Sequence, residues 1–305
     1  MQSTHRLVTV ILLSYNRPTY LREALASVSA QSYPNIEVIV IDNPSLLSGE
    51  IEKIVSEFKQ ARLLKNSVNL GYAGGMNVGI KEARGYYICL TEDDIVLDRE
   101  CISQLADYID TRQETTLVAP IQYNMSDLTI RCAGGEFTLG AVYRKRIIGA
   151  GEKDIGQFGT SIRVSYVPGS TIFCRLSEMK HLNGFREDFF MYFEDTELCA
   201  RILKAGGEIH VVTGAKAFHF DPSMSQPIET IQYHNIKNFF SLYTLHAPFK
   251  VLPEFVFRYA ILETVKDLLK GKTKFHLRIK ALLWVLMNLP RLVKDRLTSV
   301  TLINR

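Results

Sequence analysis

Tyr86-Tyr87-Ile88-Cys89-Leu90-Thr91-Glu92-Asp93-Asp94 decides how this chain is read. Its first half is an apolar run of aromatic and β-branched residues preceded by Gly85, the pattern of a buried strand. Its second half sets three carboxylates at that strand's carboxyl end. Three like charges within one turn repel one another and resist burial, so they need a cation or solvent. Two readings stand at this point: a solvated acidic turn, or ligands for a divalent metal that holds a phosphorylated molecule. In an open parallel sheet, ligands bind at the carboxyl ends of strands. The neighbours of the triplet therefore separate the two readings.

Upstream, residues 8–13 form an apolar strand, and residues 19–31 carry apolar side chains at helical spacing with Thr19 as the expected N-cap. A second strand at 36–41 ends in Asp42-Asn43-Pro44, a helix covers 48–59 and a third strand covers 61–64. This alternation predicts an α/β fold with a doubly wound, mostly parallel, Rossmann-like sheet. Asn69-Leu70-Gly71-Tyr72-Ala73-Gly74-Gly75-Met76-Asn77 then reads as a glycine-rich turn opening a helix that runs to Ala83. Such a helix start presents free N–H groups and suits a phosphate or nucleotide, although it matches neither the dinucleotide nor the P-loop fingerprint.

Downstream, residues 115–168 show a strand-like piece at 117–120 and scattered glycines, and otherwise read as a long loop or lid. Strands at 164–167 and 171–175 flank Pro168-Gly169-Ser170. Phe189-Phe190-Met191-Tyr192-Phe193 leads into Glu194-Asp195, and a helix at 196–205 stops at Gly206-Gly207. Asp195 by itself could be the N-cap of that helix. A strand follows at 208–212, with His219 beyond it.

The chain has 305 residues, 47% of them apolar and 22% charged, enough for a full core with an appendage. Its five cysteines form an odd set without CxxC spacing, which points to reduced thiols in the cytoplasm and no zinc site. The first apolar run is too short for a signal peptide, and no apolar stretch reaches the roughly 18 residues of a membrane span. From Phe249 onward there are 12 Lys and Arg against 4 Asp and Glu, whereas the rest has 24 against 28. An acidic body, 1–228, thus precedes a basic helical region, 229–305. In that region 255–269 and 277–297 are apolar but broken by Lys and Arg, as in amphipathic helices on an anionic membrane surface. A packed helical subdomain or a homo-oligomer contact gives the same pattern. The tail is aliphatic rather than polar and basic, so nucleic acid is not the expected partner.

Taken together, Val10-Ile11-Leu12-Leu13-Ser14-Tyr15-Asn16-Arg17, Val40-Ile41-Asp42-Asn43, the 69–77 segment, the acidic triplet and 189–206 resemble family 2 glycosyltransferases of the GT-A fold. The resemblance spans about residues 7–220, and 190–198 is most like the bacterial rhamnosyltransferase and galactofuranosyltransferase branch. It implies inverting, metal-dependent transfer of a rhamnose-like or other hexose from a dTDP- or UDP-sugar to a glycan or lipid-linked acceptor. The setting it implies is cell-surface polysaccharide synthesis, with the protein peripheral at the inner face of the cell membrane. Asp94, Glu92 and His219 are the implied ligands of Mg²⁺ or Mn²⁺, and Asp195 is the implied catalytic base with Glu194 beside it. Ser14, Tyr15, Asn16, Arg17, Asp42, Asn69, Gly71, Gly74, Gly75, Asn77 and Asp93 are implied on the nucleotide-sugar side. The chemistry agrees, since a diphosphate leaving group needs its charge neutralised and an attacking hydroxyl must lose a proton. Glu92 departs from the family's commoner Asp. The QxxRW motif of processive synthases is absent, and so is the GxGTRL start of nucleotidylyltransferases. A non-catalytic nucleotide-sugar-binding scaffold on the same fold is the competing expectation.

Overall fold

The computed structural model describes residues 5–220, 227–270 and 274–301; the outer ends of the two expected regions, 1–4 and 302–305, lie outside it. The first half runs β1 (Val8–Ser14), α1 (Pro18–Ser29), β2 (Ile36–Asp42), α2 (Ser48–Ser56), β3 (Ala61–Lys65), α3 (Gly71–Glu82) and β4 (Tyr87–Glu92). β1 pairs in parallel with both β2 and β4, with Val10 opposite Val38 on one side and Cys89 on the other. Side chains of a strand alternate between faces, and here both faces are apolar. Val10, Leu12, Val38 and Val40 pack with Leu21, Leu25 and Ile51 of α1 and α2. Ile11, Ile39 and Ile41 pack on the opposite face with Met76 and Ile80 of α3. That division is the doubly wound arrangement expected from the sequence.

Two helix starts differ from expectation. Arg17, not Thr19, occupies the N-cap of α1 and makes no side-chain cap bond, because a guanidinium has no acceptor to offer; Pro18 at the first helical position presets φ for the helix. Gly74 and Gly75 lie inside α3 rather than in a turn before it. A Cβ on Gly75 would stand 2.5 Å from Leu13 Cδ1, so the glycine lets α3 lie close on the sheet.

The second half comprises β5 (Ile95–Leu97), α4 (Cys101–Asp110), β6 (Thr115–Asn124), β7 (Ile130–Cys132), β8 (Gly135–Leu139), β9 (Tyr143–Ile147), β10 (Ser161–Val164), β11 (Thr171–Arg175), α5 (Leu176–His181), α6 (Glu194–Lys204) and β12 (Glu208–His219). The sheet order is β10-β12-β6-β11-β4-β1-β2-β3. β11 is antiparallel to its neighbours β4 and β6, and β12 returns parallel to β6. Half of the stretch 115–168 is therefore strand rather than loop. Pro120 and Gln122 mask the strand pattern of β6, since proline argues against a central strand. Pro120 is accommodated where the β12 register shifts between Val212 and Lys216.

The remaining helices are α7 (Ile228–His246), α8 (Leu252–Phe255), a π-helical stretch Val256–Leu262, α9 (Glu263–Leu269) and α10 (Lys274–Thr301). They share a core of Phe240, Tyr243, Phe255, Val285 and Leu292 that also takes in Phe189 from the body. Ion pairs His246–Glu197 (3.0 Å) and Arg186–Asp295 (2.9 Å) tie them to the sheet half. Among the described residues no helix is long and apolar enough to cross a membrane.

Candidate active site

The chain starts at β1 in mid-sheet, winds outward to β3 and returns through α3 to β4 on the other side of β1. Such a reversal leaves a crevice at the carboxyl ends of the strands. A cleft of about 730 Å³ opens there, lined among others by Tyr15, Arg17, Asn43, Glu92, Asp93, Asp94, Tyr166, Glu194, Asp195 and His219.

Two of the three acids are buried rather than solvated, Asp93 and Asp94 being 3% and 1% exposed, and Glu92 is half-buried at the cleft. Arg17 and His219 compensate Asp94. Its Oδ2 accepts a hydrogen bond from Arg17 Nη1 at 2.7 Å and lies 3.3 Å from His219 Nε2. Burial pushes Asp94 up, but the His219 hydrogen bond and charge, with Arg17, hold it below the ordinary carboxylate range. Asp93 accepts from the Tyr15 backbone N–H at 3.2 Å, and burial, only partly offset by Arg17, raises it to about 7. Burial, then the charges of Asp94 and Asp93, push Glu92 up to about 8. One ligand atom each from Glu92, Asp94 and His219 lies within 4.8 Å of the others, and Asp94 Oδ1 is buried with no hydrogen-bond partner among the described residues. Two carboxylates and an imidazole around an orphaned oxygen suit Mg²⁺ or Mn²⁺.

The second pair of acids arrives by a strained route. Phe190, Tyr192 and Phe193 have φ of 65°, 66° and 64°, a region that bulky residues rarely enter. Phe193 is the N-cap of α6, so Asp195 sits in the first turn and does not cap the helix. Its Oδ2 instead accepts from Tyr166 Oη at 2.7 Å and from the Gly169 N–H at 3.4 Å. Burial, then the neighbouring Asp195, hold the Tyr166 hydroxyl well above its usual range, so it stays a donor. Lys145 Nζ stands 3.3 Å from the centre of the Tyr166 ring. Burial, followed by the charge of Asp195, holds Glu194 well above the carboxylate range, and its Oε2 has no partner among the described residues.

Of the residues expected from the sequence, Tyr15, Arg17, Asn69, Gly71, Glu92, Asp93, Asp94, Glu194, Asp195 and His219 line this cleft. Ser14, Asn16, Asp42, Gly74, Gly75 and Asn77 do not. Asp42 is 1% exposed and accepts from Ser48 Oγ at 2.5 Å. Asn16 accepts from the Leu46 N–H, and Asn77 bonds the Phe185 backbone across from α3. Asn43, next to Asp42, reaches the cleft instead and fastens the 69–71 segment: its Nδ2 donates to Asn69 Oδ1 and to Gly71 O, both at 2.9 Å. Lys145 was missed because it lies in the segment read as a loop, and Tyr166 because a strand residue at 164–167 carries no sign of facing Asp195. The basic run Arg144-Lys145-Arg146 between Tyr143 and Ile147 was the available signal.

Residues 9–167 match the model of glycosyl transferase family 2. The chain is 24% identical over 144 residues to an uncharacterized glycosyltransferase of Haemophilus influenzae, covering 47% of this chain and 45% of that one. It is 26% identical over 206 residues to the pre-mycofactocin glycosyltransferase of Mycobacterium tuberculosis, covering 68% of this chain and 41% of that one. The chain thus spans less than half the length of these curated relatives. Among solved structures, GalNAc-T7 with UDP, GalNAc and Mn²⁺ superposes with a TM-score of 0.69 at 13% identity, covering 92% of this chain and 56% of the other. That likeness concerns the fold, which is the GT-A arrangement expected from the sequence.

Proposed function

Because the chain belongs to glycosyl transferase family 2, we propose that it transfers a hexose, rhamnose-like or another, from a dTDP- or UDP-sugar to a glycan or lipid-linked acceptor, with inversion. The observation that carries this reading is that two acid sets of different character open on one cleft: a three-ligand cluster and an aspartate pinned by Tyr166 and Gly169. Glu92, Asp94 and His219 would hold Mg²⁺ or Mn²⁺, which when bound neutralises the charge of a diphosphate leaving group. GalNAc-T7 was solved with UDP and Mn²⁺, which supports that assignment. Tyr166 and Gly169 orient Asp195 Oδ2 so that its remaining lone pair can take the proton of an acceptor hydroxyl. Glu194, whose carboxyl holds its proton more tightly than an ordinary one because of burial and the charge of Asp195, lies beside it. With Asp195 taking the proton, the acceptor hydroxyl attacks the anomeric carbon directly as the diphosphate leaves, a single displacement and hence inversion.

A thermal-shift panel of dTDP-, UDP- and GDP-sugars with Mn²⁺ or Mg²⁺ tests the reading. A ligand at a hundred times its Kd stabilises the native state by about 2.7 kcal/mol. The expected result is a metal-dependent shift with one donor class, followed by release of the nucleoside diphosphate when an acceptor is supplied. No shift with any donor, or release of pyrophosphate, overturns it. Binding without turnover across acceptors would favour the scaffold reading.

We further propose that the basic region docks on an anionic membrane surface at the cytoplasmic face. Phe257, Ile261, Val265 and Leu269 are exposed at four-residue spacing on one helix, and Leu283, Leu286, Met287, Val293 and Leu297 on α10. The surplus of Lys and Arg around these stripes suits anionic lipid, whereas a second copy would set two basic surfaces together. Flotation with phosphatidylglycerol-containing vesicles, absent with pure phosphatidylcholine and lost in Leu269→Glu and Met287→Glu, is the expected result. A soluble dimer abolished by the same substitutions would overturn it.

A further inference from the structure

We propose that Asn238, assisted by Lys237, is a positioning residue of the reaction: from α7 it holds the strained loop that delivers Glu194 and Asp195 to the cleft. The catalytic part of this claim rests on the sugar-transfer reading; the structural part does not. Asn238 is fully buried, and its Nδ2 donates to the carbonyl oxygens of Phe189 (2.7 Å), Met191 (2.8 Å) and Tyr192 (2.7 Å). Lys237, 3% exposed, donates from Nζ to the Asp188 carbonyl. Four carbonyls of five consecutive residues thus turn toward two adjacent side chains of one helix. Converging carbonyls demand a donor, which fixes the amide orientation and leaves Asn238 Oδ1 without a partner among the described residues.

The loop needs such a clamp because Phe190, Tyr192 and Phe193 all lie in the positive-φ region. Each residue held there costs on the order of 1–3 kcal/mol and persists only where its surroundings over-determine it. Both walls of the cleft depend on the result. The Phe190 carbonyl accepts the Ala73 N–H at 3.0 Å, and it approaches Gly71 so closely that a Cβ there would stand 2.3 Å from it. The Phe193 carbonyl accepts the Glu197 N–H at 2.8 Å and so starts the helix bearing Asp195. His234, one turn before Asn238 on α7, stacks its ring on Phe190 at 4.6 Å. A helix that the sequence assigns to an extension therefore completes the catalytic wall.

Asn238→Ala removes the donor, and Asn238→Asp keeps the shape while setting an acceptor against three carbonyls. Hydrogen exchange read by mass spectrometry, below the melting temperature of each variant, should show the Ala73, Met191 and Glu197 amides exchanging about tenfold faster or more, with β1 and β4 unchanged. With the donor identified by the thermal-shift panel, kcat should fall about a hundredfold while the affinity for UDP with Mn²⁺, or for the corresponding nucleotide, changes less than threefold. Unchanged exchange at the three amides overturns the proposal, as does acceleration across the whole sheet or an equal loss in kcat and nucleotide affinity. Should both variants fail to fold, Lys237→Met removes the Asp188 bond and the ammonium beside the Trp284 ring while leaving Asn238 in place. It should accelerate exchange locally and shift the emission of Trp284, the single tryptophan, whose ring lies 4.7 Å from Lys237 Nζ; no change in either overturns the clamp. If the wild type turns over no sugar donor, the exchange experiment still decides the structural claim and the functional reading falls alone.

Discussion

The two acid sets that open on the cleft are positioned by opposite means. Glu92, Asp93 and Asp94 sit at the end of a buried strand in unstrained geometry, and their charge is met by Arg17 and His219. Glu194 and Asp195 follow three positive-φ residues and take their order from neutral donors, Tyr166 and the Gly169 N–H. The first set stands at a strand end beside Arg17 and His219. The second uses hydrogen bonds to aim one oxygen of Asp195, and the nearby Lys145 lies over the Tyr166 ring.

Substitutions test that contrast unequally. Asp195→Asn keeps the shape and the Tyr166 contact but removes the base, so kcat should fall by about a thousandfold with nucleotide affinity nearly unchanged. Stopped-time assays of nucleotide release together with calorimetric titration of the nucleotide check this. Full activity in that variant would remove the difference between the two sets. Arg17→Gln should leave the buried Asp94 with only the His219 imidazole of the pair now seen, costing about 1–3 kcal/mol without metal. Mn²⁺ should then raise the melting temperature of the variant more than that of the wild type. An equal Mn²⁺ increment in both would mean that Arg17 does not stand in for a metal's charge.

The smallest effect is in pH. Glu92 titrates at about 8 and Asp93 at about 7 in the metal-free fold. Both are raised, so the native state holds protons that the unfolded chain has already released above pH ~4.3. Stability therefore falls as pH rises, by about 1–2 kcal/mol between pH 6.5 and 8. His234, lowered to about 4 by burial and Lys237, contributes with the opposite sign only below that window. Lys237, lowered to about 8 by burial, contributes above it. Saturating Mn²⁺ should remove the share of the slope due to the first set and leave that of Glu194. Denaturant melts at pH 6.5 and 8, with and without Mn²⁺, measure both, and a slope untouched by Mn²⁺ would place it all in the second set.

Much of the first set was legible in the chain because its cause is local: an apolar run followed by acids needs only strand periodicity to place Glu92 and Asp94. Asp195 and His219 were also recognisable, through spacing within a family pattern. Their partners were not. Tyr166 stands on no visible periodicity, Arg17 reads as a nucleotide contact rather than the counter-ion of Asp94, and Asn238 looks like one polar residue in an apolar helix. Each acts on a group 29 to 77 positions away or at a similar distance, and no local propensity encodes such a pairing.

The sequence by itself determined the winding of the sheet, the acids at the end of β4 and the basic helical end, because side-chain period and charge count are properties of neighbours along the chain. Only the tertiary structure decided which acids are pushed up and which held down, and that α7 packs its Asn238 against the loop before α6. Those outcomes depend on burial and on the approach of groups from different elements, and both exist only once the sheet and helices have packed.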